Sequence, residues 1–140
     1  MDAFATIAST KSAAGSGGLL RESDTVQNMF GRTEARLQAG QAFLVAAMNR
    51  LMAAIDVGGD ELIRARAAFR AAGAHAAETA IDVVGMLATA AASSSIFEVN
   101  PIERAIRDVH AATKHIAMNP NIFSVAGRLA LGLDAGVARF

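Results

Sequence analysis

Two long stretches of this chain place apolar or small side chains at alternating steps of three and four, and a pair of glycines joins them. In residues 24–57 the stripe runs Val26, Phe30, Thr33, Leu37, Gly40, Leu44, Ala47, Leu51 and Ile55. In residues 60–93 it runs Leu62, Ala65, Phe69, Ala72, Ala76, Thr79, Val83, Met86 and Ala90. That spacing is the helical period, so each stretch carries its apolar side chains along one face. Gly58 and Gly59 supply a stop for the first helix and a tight turn into the second, which predicts an antiparallel hairpin. The chain holds just two prolines, so nothing interrupts either run. Hydrophobic residues are 53% of the sequence and aromatics 5%. Much of the apolar content is alanine, the best helix former, and its small side chain lets helices approach closely.

The remaining segments fit the same class. Residues 2–10 read as a short helix with no good cap, as if they were the tail of a longer element. Residues 11–23, rich in glycine and serine, read as a loop. Asp24 with Gln27 three residues later matches a capping box. The serines at 93–95 are expected to end the second long helix. Asn100, Pro101 and Glu103 form a clear helix start, and Ile102, Ile106, Val109 and Ile116 give an apolar face for a helix over 101–118. Asn119 and Pro120 repeat the signal for a last helix over 120–132, stopped near Gly132. No strand pattern competes. One domain of 140 residues is expected, an all-α, antiparallel up-and-down four-helix bundle with a short truncated first helix.

Charge and composition exclude several classes. Thirteen basic and thirteen acidic residues leave a formal net charge of zero, which removes the usual electrostatic argument for nucleic-acid binding and gives no reason to expect an anionic membrane as partner. The most apolar stretch, residues 83–92, is too short to span a bilayer. No basic segment followed by an apolar run marks a secretion signal, so a soluble, cytoplasmic location is the expectation. With no cysteine, disulfides and thiolate chemistry are excluded. A neutral, apolar-rich chain tends to self-associate, so an oligomer is expected. A di-iron site, natural in helix bundles, needs Glu-x-x-His on two helices, and the sequence contains none. His75 precedes Glu78 in the reverse order and reads as a hydrogen-bonded core residue.

The segment 93–120 carries the most chemistry. On one continuous helix, Arg104, Asp108, Ala111 and His115 would share a narrow stripe, with Arg107 and His110 on its neighbour. Read plainly, this is a polar, solvated face with an Arg104–Asp108 pair. Read functionally, it is a face turned to an anionic or planar ligand, where histidine donates a hydrogen bond and arginine meets phosphate.

The Arg-x-x-Arg-Asp core at 104–108, the serine run before it, His115 after it, the closing Gly-Arg-Leu-Ala-Leu-Gly at 127–132, and the loop leading to Val26-Gln27 together resemble the C-terminal helical domain of the acyl-CoA dehydrogenase superfamily. Within it they look most like the two-component, flavin-dependent monooxygenases. The resemblance covers nearly the whole chain in order. It implies a complete subunit with an N-terminal helical domain and a β-domain besides this bundle. It also implies a homo-oligomer, dimer or tetramer, FAD or FMN reduced by a separate flavin reductase, and flavin contacts from a neighbouring subunit. Carried over, His115 would sit near the reactive edge of the flavin and help hold or protonate the peroxyflavin formed with oxygen. Ser94 and Ser95 would approach the nucleotide part, Lys11 and Gln27 the phosphate or adenine end, and Arg107 is the arginine placed to reach the cofactor. Arg104 and Asp108, and Arg107 in part, would hold the helix and its interface.

One departure separates the branches. Dehydrogenases of this kind carry a glutamate base in a Tyr-Glu-Gly stretch after the Arg-Asp helix. Here there is no tyrosine at all, and the stretch reads His115, Ile116, Ala117, Met118, Asn119, Pro120. The oxygenase branch is therefore expected over a true acyl-CoA dehydrogenase. The abrupt start and the missing domains suggest a truncated or domain-only piece with no activity alone. The rival reading is a stand-alone oligomerising bundle with a structural or interaction role and no cofactor.

Overall fold

The computed structural model describes residues 1–12, 17–92 and 100–136. Among these residues five α-helices follow in order: α1 (Asp2–Thr10), α2 (Asp24–Val57), α3 (Gly59–Ala91), α4 (Pro101–Ala112) and α5 (Asn121–Ala130). Short 3₁₀ turns lie at Leu20–Glu22 and Ile116–Met118. Among the described residues there is no strand, only an isolated antiparallel bridge between Ser12 and Leu19. The protein is all-α. None of the described helices is long and apolar enough to cross a membrane.

Two compact units divide the chain, Met1–Gln38 with Thr79–Ala112, and Ala39–Glu78 with the chain from Thr113 onward. In the first, Phe4 and Ala8 of α1 bury against Val83, Leu87 and Ala91 of α3 and Ile102 of α4. The Phe4 ring stacks on Phe30 of α2 with centroids 5.8 Å apart. α1 has no side-chain cap, so this packing, more than its own propensity, holds it. Thr33 is fully buried on the α2 stripe, and its hydroxyl is satisfied by donating to the Phe30 carbonyl at 2.7 Å.

The second unit is built mostly of alanine. Ala47 and Ala54 of α2, Ala65, Ala67, Ala71, Ala72 and Ala74 of α3, and Ile122 of α5 are buried. Here α3 is covered on two faces. Ala65 and Ala72 belong to the expected stripe, while Ala67, Ala71 and Ala74, again spaced by four and three, form a second one. Gly73 lies where the Ile116–Met118 turn comes close, and a Cβ there would meet Met118 Sδ at 3.9 Å. The reversal between α2 and α3 rests on Gly58 and Gly59, with φ of 69° and 54°, a backbone that L side chains avoid. Arg50 of α2 pairs with Glu61 of α3 at 3.0 Å, and the Phe43 ring lies 5.9 Å from that of His75. As the α2 number falls its α3 partner's rises, which is antiparallel pairing. In the first unit Arg36 reaches Asp82 at 3.9 Å in the same sense.

The hydrogen bond from Arg50 holds the Glu61 carboxyl below its ordinary range; the cost of burial opposes it, and the Arg50 and Arg64 charges add to the lowering. A depressed carboxylate contributes stability that is present above its unfolded pKa, about 4.3, and is lost as pH falls through the folded value. Glu61→Gln should therefore flatten the acid limb of a plot of melting temperature against pH. Its effect at neutral pH should be small, because the pair is exposed.

Three expectations need correction. The helix expected over 101–118 ends at Ala112. After it His115 adopts extended backbone, and its Nδ1 accepts the Ala117 N–H at 3.2 Å, capping the following 3₁₀ turn. His115 therefore does not share a helical stripe with Arg104, Asp108 and Ala111. The Asp24–Gln27 capping box is not formed either. Ser23 supplies the carbonyl that accepts the Gln27 N–H at 2.9 Å, and the Gln27 side chain donates to the Arg21 carbonyl at 3.0 Å. Asp24 is already helical, where its charge still favours the positive helix end. Ile55 is 54% exposed, and Ala54 takes the buried position at that level.

Candidate functional site

α4 is set by its start. Asn100 Oδ1 accepts the Ile102 N–H at 2.9 Å, with Pro101 at the first helical position. Asn100→Ala should cost about 1 kcal/mol of unfolding free energy, readable by chemical denaturation. Ile102 is buried, Ile106 and Val109 are half-buried, and Arg104, Arg107, Asp108 and His110 are exposed. Arg104 Nε meets Asp108 Oδ2 at 3.4 Å, and Arg107 Nε meets Glu103 Oε1 at 2.8 Å. The Glu103 carboxylate is mostly covered, and its Oε2 has no hydrogen-bond partner among the described residues. Ion pairs one helical turn apart contribute about 0.2–0.5 kcal/mol each. Their consequence is orientation, since each arginine is drawn along its own helix while most of its guanidinium stays in solvent.

His115 stands exposed in the second unit. Because Nδ1 accepts the Ala117 N–H, the neutral ring carries its proton on Nε2 and offers a donor outward. Lys11 is half-buried in the first unit, and its ammonium donates to the Ala91 carbonyl at 2.7 Å. That contact places a cation on the last turn of α3, where the helix end is partially negative. Gln27 is exposed and its amide nitrogen is engaged with Arg21. Ser94 and Ser95 lie outside the described residues.

Lys11, Gln27 and Arg107 thus belong to one unit and His115 to the other. Among the described residues no group of three or more His, Asp or Glu side chains gathers for a metal ion. As partners for a flavin the candidates divide. His115 and Arg107 fit as open donors for an electron-rich or anionic edge. Lys11 and the Gln27 amide fit less well, since each already serves a backbone carbonyl.

Two features escaped the reading of the sequence. Arg21, in the 3₁₀ turn before α2, lines a cleft of about 180 Å³ with Phe4, Ala5, Ala8, Ser9, Val26, Gln27 and Phe30. An arginine following two leucines inside a glycine-rich loop gave no periodic signal. The other is an exposed apolar stripe on α2, Val45, Met48, Met52 and Ile55. Its steps of three, four and three were legible, but Ile55 had been placed on the buried face.

Helices of this number, length and order define an all-α domain with no β-layer among its described residues. The model of the acyl-CoA dehydrogenase C-terminal domain matches residues 1–120. The chain belongs to that family. Comparison with curated proteins gives no match.

Proposed function

We propose that this chain acts as the C-terminal helical domain of a flavin-dependent monooxygenase, covering the flavin and forming the oligomer interface alongside an N-terminal and a β-domain. The observation that carries this reading is His115. It is exposed, with its Nε2 proton directed to solvent, in the stretch where related dehydrogenases keep a Tyr-Glu-Gly base. A histidine in that place holds or moves a proton but is not accompanied by the carboxylate needed to remove a substrate α-proton. Reduced FAD or FMN, delivered by a flavin reductase, would supply the electrons for oxygen activation. The chain's own part is to donate from His115 Nε2, to present the Arg107 guanidinium to negative charge, and to exclude water by packing.

The test is turnover with chemically reduced flavin and oxygen in the native assembly. His115→Ala should lower the fraction of consumed oxygen that reaches product by at least about tenfold, with hydrogen peroxide rising in its place. Unchanged coupling would remove the role of His115. Bleaching of the flavin by an acyl-CoA thioester without oxygen or reductase would assign the dehydrogenase branch instead. A second reading, an oligomerising scaffold without cofactor, is favoured by the exposed α2 stripe. It predicts a colourless assembly.

A further inference from the structure

The second unit holds a cleft that none of the flavin candidates lines. Ala67 and Ala68 of α3 and Ala126, Leu129 and Ala130 of α5 line about 290 Å³, together with Arg50 of α2 and Arg64 of α3. Steps of three and four put Arg64, Ala67 and Ala68 on one face of α3, and the three α5 residues on one face of theirs. Arg50 and Arg64 are the only polar side chains among the described residues of the lining, and both are exposed. Arg50 spends its Nε on Glu61 Oε1 at 3.0 Å, which leaves the two terminal nitrogens of its guanidinium to solvent. The Arg64 guanidinium has no ion pair among the described residues, although Asp60 stands one helical turn before it. Arg104 and Arg107, by contrast, each take the acid one turn away. The Arg50 hydrogen bond lowers the Glu61 carboxyl most, and the Arg64 charge adds to it, so both arginines act on one carboxylate. Two guanidiniums against that carboxylate leave one positive charge over. The end of α5 does little to offset it, because the Gly127, Arg128 and Leu129 carbonyls already accept from the Leu131, Gly132 and Leu133 amides.

We propose that this cleft binds a short aliphatic monocarboxylate, its carboxylate on Arg64 and the terminal nitrogens of Arg50 and its chain along the alanine and leucine wall. Charge, shape and polarity each narrow the class. One uncompensated positive charge matches a monoanion, whereas a phosphate monoester would bring a second negative charge beside Glu61. A guanidinium holds its donors in a planar fork that fits the two oxygens of a carboxylate. The wall offers methyl and isobutyl groups without a hydroxyl or amide, so it rewards alkyl carbon and gives a sugar or a nucleotide nothing to bond. No aromatic side chain lines the cleft, so a planar ring gains no stacking there. From Ala126 to Ala130 the α5 wall runs about 6 Å, the reach of about five extended carbons. The proposal stands apart from the flavin reading.

The experiment titrates hexanoate labelled with carbon-13 at its carboxyl into the full chain and follows that resonance. Saturable binding at one site per chain is expected, at least about tenfold tighter than that of the uncharged hexanamide. Arg64→Met should bring hexanoate down to the level of the amide. Because Arg64 is exposed and carries no ion pair, this variant should melt with the wild type. If it does not, the comparison of acid with amide in the wild-type chain still decides. Ala130 is exposed at the end of α5, so Ala130→Leu should fill the cleft without disturbing the core and weaken acid and amide together. Equal binding of acid and amide, no saturation at millimolar hexanoate, or binding unchanged by Ala130→Leu would each overturn the assignment. Tighter binding of hexyl phosphate would overturn the choice of a monocarboxylate, and displacement of hexanoate by FAD or FMN would give the cleft to the cofactor. A colourless assembly would remove the flavin reading and leave this site standing.

Discussion

Phe4→Ala is expected to lower the free energy of unfolding by about 3–5 kcal/mol, the range for deleting a fully buried phenylalanine. Phe4 is 1% exposed and sits among the buried side chains of α3 and α4 in the first unit. Truncation removes the transfer free energy of the ring and leaves a void beside Phe30, whose stacking partner is gone. α1 is nine residues long and lacks a side-chain cap, so it cannot persist without that anchor. Two effects should appear together in denaturant titration and amide exchange. The midpoint should fall, and the amides of α1 should lose protection well before those of α3. A loss below about 1 kcal/mol would mean that α1 is not held by this ring.

If the proposed oligomer assembles through α2, replacing Met48 and Met52 together by lysine should dissociate it without unfolding the chain. Met48 and Met52 are 46% and 60% exposed and lie between Val45 and Ile55 on one stripe of α2. A helix packed on one side needs a single apolar face, and α2 has this second one beside it. Side chains of that kind in a row are what a subunit contact uses, with methionine adapting its shape to the partner. Two ammonium groups placed in such a contact would have to be desolvated without partners, which costs several kcal/mol. The dissociation constant should therefore rise by about a hundredfold or more. Sedimentation should show the wild type as an oligomer and the double variant as a single chain, with closely similar melting temperatures. An unchanged mass would place the interface elsewhere.

The fold was legible because its signals are periodic and redundant. Steps of three and four over so long a span leave no alternative to helix, and the Asn100–Pro101 start acts through local geometry that the sequence spells out. The errors fall where local chemistry competes. His115 breaks the expected helix because its ring nitrogen caps a turn, a role for which histidine carries no marked preference in sequence. Gln27 finds the Arg21 carbonyl, which belongs to a turn that the sequence did not announce. The second buried face of α3 is written in Ala67, Ala71 and Ala74. Alanine is equally at home in solvent, so its burial shows only once helices approach on both sides.

The candidate site was less legible for a different reason. Lys11, Gln27 and Arg107 were selected by residue type and order within a family pattern. Their hydrogen bonds depend on where the ends of α3 and the turn before α2 come to rest. Lys11 meets the Ala91 carbonyl across a separation of 80 residues, which no local rule anticipates. Arg107 behaves as spacing suggests, because its partner Glu103 is one helical turn away.

The most direct test of the account is the flavin content of the native assembly that carries this chain, isolated without denaturant and examined by its visible absorption. Domain membership together with the oxygenase reading predicts a yellow oligomer in which flavin is stoichiometric with the chain. A colourless oligomer that ignores added FAD and FMN would contradict it and leave the helical domain as a scaffold.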